Sequence, residues 1–222
     1  MVKVITLRKL KYGFVFLIFM ATISCSTQKD AMLNKIYHQI NTQYNGLFYA
    51  EKYLKEGIKK VEKNHKENYA EILKINRYGD LKAAKSAQSS FDNAIEKATN
   101  AIQQHSMEID GDEKNKLIDH NYIIIGQAQF YKQDYVAALN TFNYVTRKSK
   151  REENKSWALI WSTRCHQALG NHESLKNNLL VLEEDYYLNK KQDAILNEIQ
   201  AEQAINEGYY LESKQHLLKA IS

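Results

Sequence analysis

Across 222 residues there is not one proline. Proline removes a backbone donor and clashes with the preceding helical turn, so a chain without it has no forced helix breaks. Leucine, alanine, lysine, glutamate and glutamine, which are good helix formers, are plentiful. The apolar residues then fall at helical spacing. Leu47, Ala50, Leu54, Ile58 and Val61 form one stripe. Leu81, Ala84, Ala87, Phe91, Ile95, Ala98 and Ile102 form a second, which predicts one long helix. A shorter segment around Tyr69, Ala70, Glu71, Ile72 and Leu73 lies between them. Gly79 is expected to stop a helix there, and Asp80 to cap the next. The expected class is all-α.

Residues 110–116 form the clearest linker and are expected to be a solvated turn. They lack the alternating oxygen ligands of a calcium loop. Beyond them a repeat begins. Within 119–152, Tyr122, Ile125, Gly126, Ala128, Phe130, Tyr135, Ala138, Phe142 and Val145 follow the tetratricopeptide order of small and large residues on two antiparallel helices. Gly126 and Ala138 are placed where the paired helices approach, with Ala128, Tyr135 and Phe142 packed beside them. A second unit starts near Ser156, carries Trp157, Leu159, Ile160, Cys165 and Ala168, turns at Gly170, and continues with Leu175, Leu179 and Leu182. Cys165 is expected to be a buried packing thiol. A third unit starts near Ala194 and turns at Gly208, with Leu217, Leu218 and Ile221 on its last helix. The turn glycines are 38 residues apart. Solenoid ends normally carry a polar cap; none follows the third unit, which suggests the N-terminal part of a longer protein or a naturally short relative. The predicted architecture is a tetratricopeptide-type right-handed solenoid over 110–222, preceded by long helices over 31–109.

The first residues read as an address. Lys3, Arg8, Lys9 and Lys11 precede an apolar run over 14–23, and Ser24 leads into Cys25. That is the layout of a secretory signal peptide over 1–24. Its apolar run is too short to span a bilayer, which takes ~20 residues. A cysteine directly after such a signal resembles a bacterial lipobox, although Thr22 stands where leucine is usual. Cys25 is the expected acylated N-terminus, with a lipidated linker over 25–30. Neither an aspartate directly after Cys25 nor an acidic cluster follows, which resembles the sorting pattern of the periplasmic face of the outer membrane.

The formal charge of +5 shrinks once the address is set aside. Without its four basic residues the chain has 27 basic against 26 acidic side chains. A nucleic-acid partner would call for a basic stripe, and none is evident. The seven histidines are scattered, and no HExxH, CxxC, phosphate-cradling glycine loop or nucleophile elbow occurs. Glu183, Glu184 and Asp185 read as a solvated helix end. We therefore expect no enzyme, metal, cofactor or small-molecule substrate.

The segments YNGLFYAEKYLKEGIKK (44–60), YAEILKINRYGD (69–80), AIEKATNAIQQHSMEI (94–109) and IIIGQAQFYKQDYVAALNTFNYV (123–145) together resemble the Bacteroidota lipoproteins called PorW or SprE. The resemblance covers nearly the whole mature chain. The Tyr44-Asn45-Gly46 and Tyr78-Gly79-Asp80 segments make it specific. It implies an outer-membrane lipoprotein facing the periplasm that links subunits of the type IX secretion machinery, serving protein export and gliding motility. Members of that family are longer, with more repeats. A glycan-binding lipoprotein of the SusD kind and an outer-membrane assembly lipoprotein are the alternatives. Tyr44, Asn45, Gly46 and Tyr49 are the candidate partner-binding patch, with close helix packing as the other role open to Gly46.

Overall fold

A computed structural model describes residues 30–221; the expected signal peptide, Cys25 and Ser222 lie outside the described residues. The fold is all-α, with 76% of the described residues helical and 2% in strands. Helix α1 (Met32–Asn41) runs through a π-helical turn (Thr42–Leu47) into α2 (Phe48–Asn64). His38, Thr42, Gly46, Ala50 and Leu54, spaced by four, all lie on the buried side. A side chain at Gly46 would collide with Ala101, so glycine lets this turn lie directly on its neighbour.

The predicted long helix over the second stripe is broken. Helix α3 (Leu81–Ser86) ends at Ala87, and α4 (Gln88–His105) follows. The Ser86 hydroxyl donates to the Ala83 carbonyl at 2.7 Å, and the Ala87 N–H turns to Ala84 instead. A serine competing for a helical carbonyl loosens the ladder at that point. Asp80 caps α3 as expected, accepting from the Ala83 N–H at 2.7 Å. Gly79 is left-handed (φ 78°) but ends no helix. Residues 65–80 form no helix at all.

The stretch 110–116 is more than a solvated turn. Asp110 and Gly111, both left-handed, join β1 (Glu108–Ile109) to β2 (Asp112–Glu113) in a two-residue hairpin. The Glu113 carboxylate accepts from the Ser106 hydroxyl and from the Met107 and Asn115 N–H groups. Asn115 is fully buried and donates to Thr42 Oγ1 at 2.7 Å and to the His105 carbonyl at 2.9 Å. This polar hub ties the end of α4 to the π-helical turn.

Three helical hairpins follow. They are α5 (Ile118–Tyr131) with α6 (Tyr135–Lys148), α7 (Glu152–Ala168) with α8 (His172–Asp185), and α9 (Lys190–Glu207) with α10 (Tyr210–Ala220). The first helix of each ends at a left-handed residue: Gln133, Gly170 and Gly208. These positions are 37 and 38 residues apart. Asp134 and Asn171 then cap α6 and α8 through their side chains. The third hairpin starts before Ala194, at Lys190, where Asn189 and Gln192 form a capping box. On its second helix Leu218 is exposed, and so is Ile221 at the cap. One buried cluster runs from Leu47 to Cys165, across the division drawn at 109/110. A smaller one joins Leu159, Ile160, Leu182, Leu196 and Ile199.

Candidate protein-binding face

Helices α5, α7 and α9 lie side by side, and α2 packs along α5. Their shared face carries two clefts. The first, of about 350 Å³, is walled by Leu54 of α2, Ile123 and Ile124 of α5, Trp157 and Trp161 of α7 and Ile195 of α9. The two tryptophans are four residues apart and therefore project from one side of α7. Lys191 lies over the Trp157 ring, 5.5 Å from its centroid. Trp161 is 6% exposed, and its indole N–H finds no acceptor among the described residues.

The second cleft, of about 410 Å³, is more polar and lies at the other end of the same helices. Residues 65–80 cross over it. Tyr78 stands edge-on to Phe130 with ring centroids 4.9 Å apart. Asn76 donates to Glu198 at 3.4 Å, and Gln133 donates to the Gly79 carbonyl at 3.2 Å. Arg164 sits beneath, almost fully buried. It pairs with Glu198 at 2.8 Å and lies between the rings of Tyr78 and Trp161, at 5.3 and 4.9 Å. Its Nε finds no acceptor among the described residues. Burial raises the Glu202 carboxyl pKa, while Lys74 and Arg164 oppose that rise. Burial likewise raises the hydroxyl pKa values of Tyr78 and Tyr135.

The residues singled out for packing sit inside the first hairpin. Ala128, Ala138 and Phe142 are fully buried, and Tyr135 is half-buried against Phe130. A Cβ at Gly126 would stand 2.5 Å from the Phe142 ring. Gly170 and Gly208 occupy open turns, where left-handed backbone rather than close approach favours glycine. Cys165 is buried, and burial pushes its thiol up to about 12, which leaves it unreactive. The Tyr44 patch divides. Tyr44, Asn45 and Tyr49 face outward, but Gly46 is buried against Ala101 and cannot meet a partner. Cys25 lies outside the described residues.

Trp161, Arg164 and Asn115 went unnoticed in the sequence. For Trp161 a signal existed, since the Trp157–Trp161 pair sits at helical spacing. Asn115 carried none. Among the described residues no group of three or more His, Cys, Asp or Glu side chains converges as metal ligands would. No described helix is long and apolar enough to cross a membrane. Compared with models of known protein families and with curated proteins, the chain matches none.

Proposed function

We propose that the chain is a lipid-anchored scaffold on the periplasmic face of the outer membrane. It links subunits of the type IX secretion machinery for protein export and gliding motility. Its hairpins are taken as tetratricopeptide-type units winding a right-handed solenoid, and it carries out no catalysis. The observation that carries the scaffold role is the face shared by α5, α7 and α9. Hairpins recurring at 37 and 38 residues set their first helices side by side, and the apolar cleft there is walled by Trp157, Trp161 and Ile195. Such a face suits a protein segment, which brings apolar side chains to fill the cleft. The membership in that machinery is supported by the resemblance of residues 44–145, and the anchor by the layout of residues 1–25.

Crosslinking in native membranes followed by affinity capture should recover secretion subunits rather than barrel-assembly subunits. Trp157→Ala with Ile195→Asp should reduce that recovery. Deleting the gene should abolish export of type IX cargo and spreading motility while general outer-membrane assembly continues. Normal cargo export and motility in the deletion strain would overturn the proposal.

A further inference from the structure

Helix α1 and the π-helical turn bury one side, which carries His38, Thr42 and Gly46, and leave an apolar side uncovered. One side carries the buried positions at 38, 42, 46, 50 and 54. The other carries Leu33, Ile36, Tyr37, Ile40, Tyr44 and Phe48, which the fold leaves between 39% and 78% exposed. Positions 40, 44 and 48 also repeat by four and are offset by two residues from the buried series, so they point the opposite way. The apolar stripe of a helix normally packs against the core. Here the covered side is the one with His38, Thr42 and Gly46, and the apolar stripe is left uncovered. A continuous exposed stripe of this kind differs from the scattered single apolar residues of an ordinary surface.

We propose that this stripe lies in the headgroup region of the bilayer to which the chain is anchored, so that α1 sits flat on the membrane. The proposal rests on the acylated-Cys25 reading. Met32, the first residue of α1, stands seven positions after Cys25. Extended chain spans at most about 3.6 Å per residue, so α1 begins no farther than about 25 Å from the anchored sulfur. A helix tethered that closely stays within reach of the lipid surface. The composition suits the place. Tyr37 and Tyr44 offer an apolar ring with a polar tip, as residues at membrane interfaces do, and Leu33, Ile36, Ile40 and Phe48 supply the apolar remainder. The hub of Asn115, Thr42 and the His105 carbonyl fixes the opposite side to the body. Seating the stripe would therefore orient the hairpins relative to the membrane.

The test uses the full chain, purified from its membrane and reconstituted in vesicles of phosphatidylethanolamine and phosphatidylglycerol. Single cysteines at the exposed positions Ile40→Cys, Tyr44→Cys, Phe48→Cys and, on α8, Glu184→Cys would each carry a spin label. Cys165 is buried and remains unlabelled. Labels at 40, 44 and 48 should collide with oxygen several-fold more than with a soluble nickel chelate, and the label at 184 should show the reverse. Nickel accessibility at all three stripe positions equal to that at 184 would overturn the inference. Dipolar broadening at 44 without oxygen enrichment would overturn it in favour of a second copy. Excess nickel protection without oxygen enrichment or broadening would overturn it in favour of a protein cover. The mass of the N-terminal peptide separates the two readings. An unmodified Cys25 removes the anchor, whereas solvent-exposed labels on an acylated chain remove the inference alone.

Discussion

In the first hairpin, α5 and α6 bury Gly126, Ala128, Phe130, Ala138, Phe142 and Val145, whereas α10 of the last hairpin buries Ser213 and leaves Tyr210, Leu211 and Leu218 in solvent. The turn geometry is shared: Gln133 and Gly208 are both left-handed and 75 residues apart. What differs is the neighbourhood. The first hairpin has α4 on one side and α7 on the other, while α10 packs chiefly on its own partner α9. A hairpin of this type thus takes its shape from its turn and its stability from the elements on either side.

Truncating a buried ring should expose that difference most strongly. Phe142, Leu179 and Leu217 hold the same place in successive hairpins, 37 and 38 residues apart. Phe142 is fully buried and touches the Trp161 ring at a centroid distance of 6.2 Å. Phe142→Ala should cost about 3–5 kcal/mol, measured by urea unfolding. Leu217→Ala should cost well under half of that, because its side chain is only half-buried. Equal losses would show that the last hairpin is as tightly held as the first.

Overpacking comes next. Ala138 has no exposed surface, and Ala138→Leu should lower the melting temperature, at a cost of about 1–3 kcal/mol. Hydrogen exchange should then quicken in α7 as well as in α5 and α6, because α7 leans on both. Unchanged stability of Ala138→Leu would redraw the register assigned to residues 119–152.

Much of this contrast could be read from the residues and part of it could not. Helices were legible because their apolar residues recur by three and four, and the turns at Gly170 and Gly208 because glycine marks left-handed backbone. Gln133 takes the same conformation without any such mark. Left-handed glutamine is strained by about 1–2 kcal/mol, and its side chain gains a bond to the Gly79 carbonyl. No local rule reveals a strain offset by a partner 54 positions away. The break at Ala87 escaped for a similar reason, since the apolar stripe continues straight through it. Of the candidate patch, Tyr44 and Tyr49 gave no local sign of facing outward, because aromatic residues at helical spacing suit a core equally well. The Arg164 cleft depends on residues 65–80 crossing over the hairpins, which no periodicity encodes.

The turns themselves should respond alike. Gly170→Ala and Gly208→Ala meet no steric obstacle, so each should lose only the left-handed penalty of about 1–2 kcal/mol. A clearly larger loss at either site would mean that the turn is packed rather than free.

A pH dependence belongs to the N-terminal region. His105 Nδ1 lies 3.1 Å from His38 Nδ1, with Tyr37 edge-on to both rings and the Asn115 side chain bonded to the His105 carbonyl. Burial, aided by His38, lowers the His105 pKa below its usual 6.5. A histidine with a lowered pKa binds its proton more readily in the unfolded chain. Its contribution is therefore complete above about pH 6.5 and is lost as the pH falls below that value. Stability should fall between pH 6.5 and 5, and His105→Gln should flatten part of that slope. An unchanged slope would show that His105 titrates alike in both states.

The smallest effect concerns Lys148, in the last turn of α6. An ammonium there faces the negative end of the helix dipole, an interaction worth about 0.3–1 kcal/mol at low ionic strength and screened by salt. Arg147 shares the position, with its Nε bonded to the Asn143 carbonyl at 3.2 Å. With a second cation in place and Lys148 exposed to solvent, Lys148→Ala should change stability by less than about 0.5 kcal/mol in physiological salt. Measured beside Ala138→Leu, ten residues earlier on the same helix, it separates a buried contact from a solvated one. If Lys148→Ala proved as damaging as Ala138→Leu, α6 would have to be rotated about its axis, and the buried assignments of Phe142 and Val145 would rotate with it.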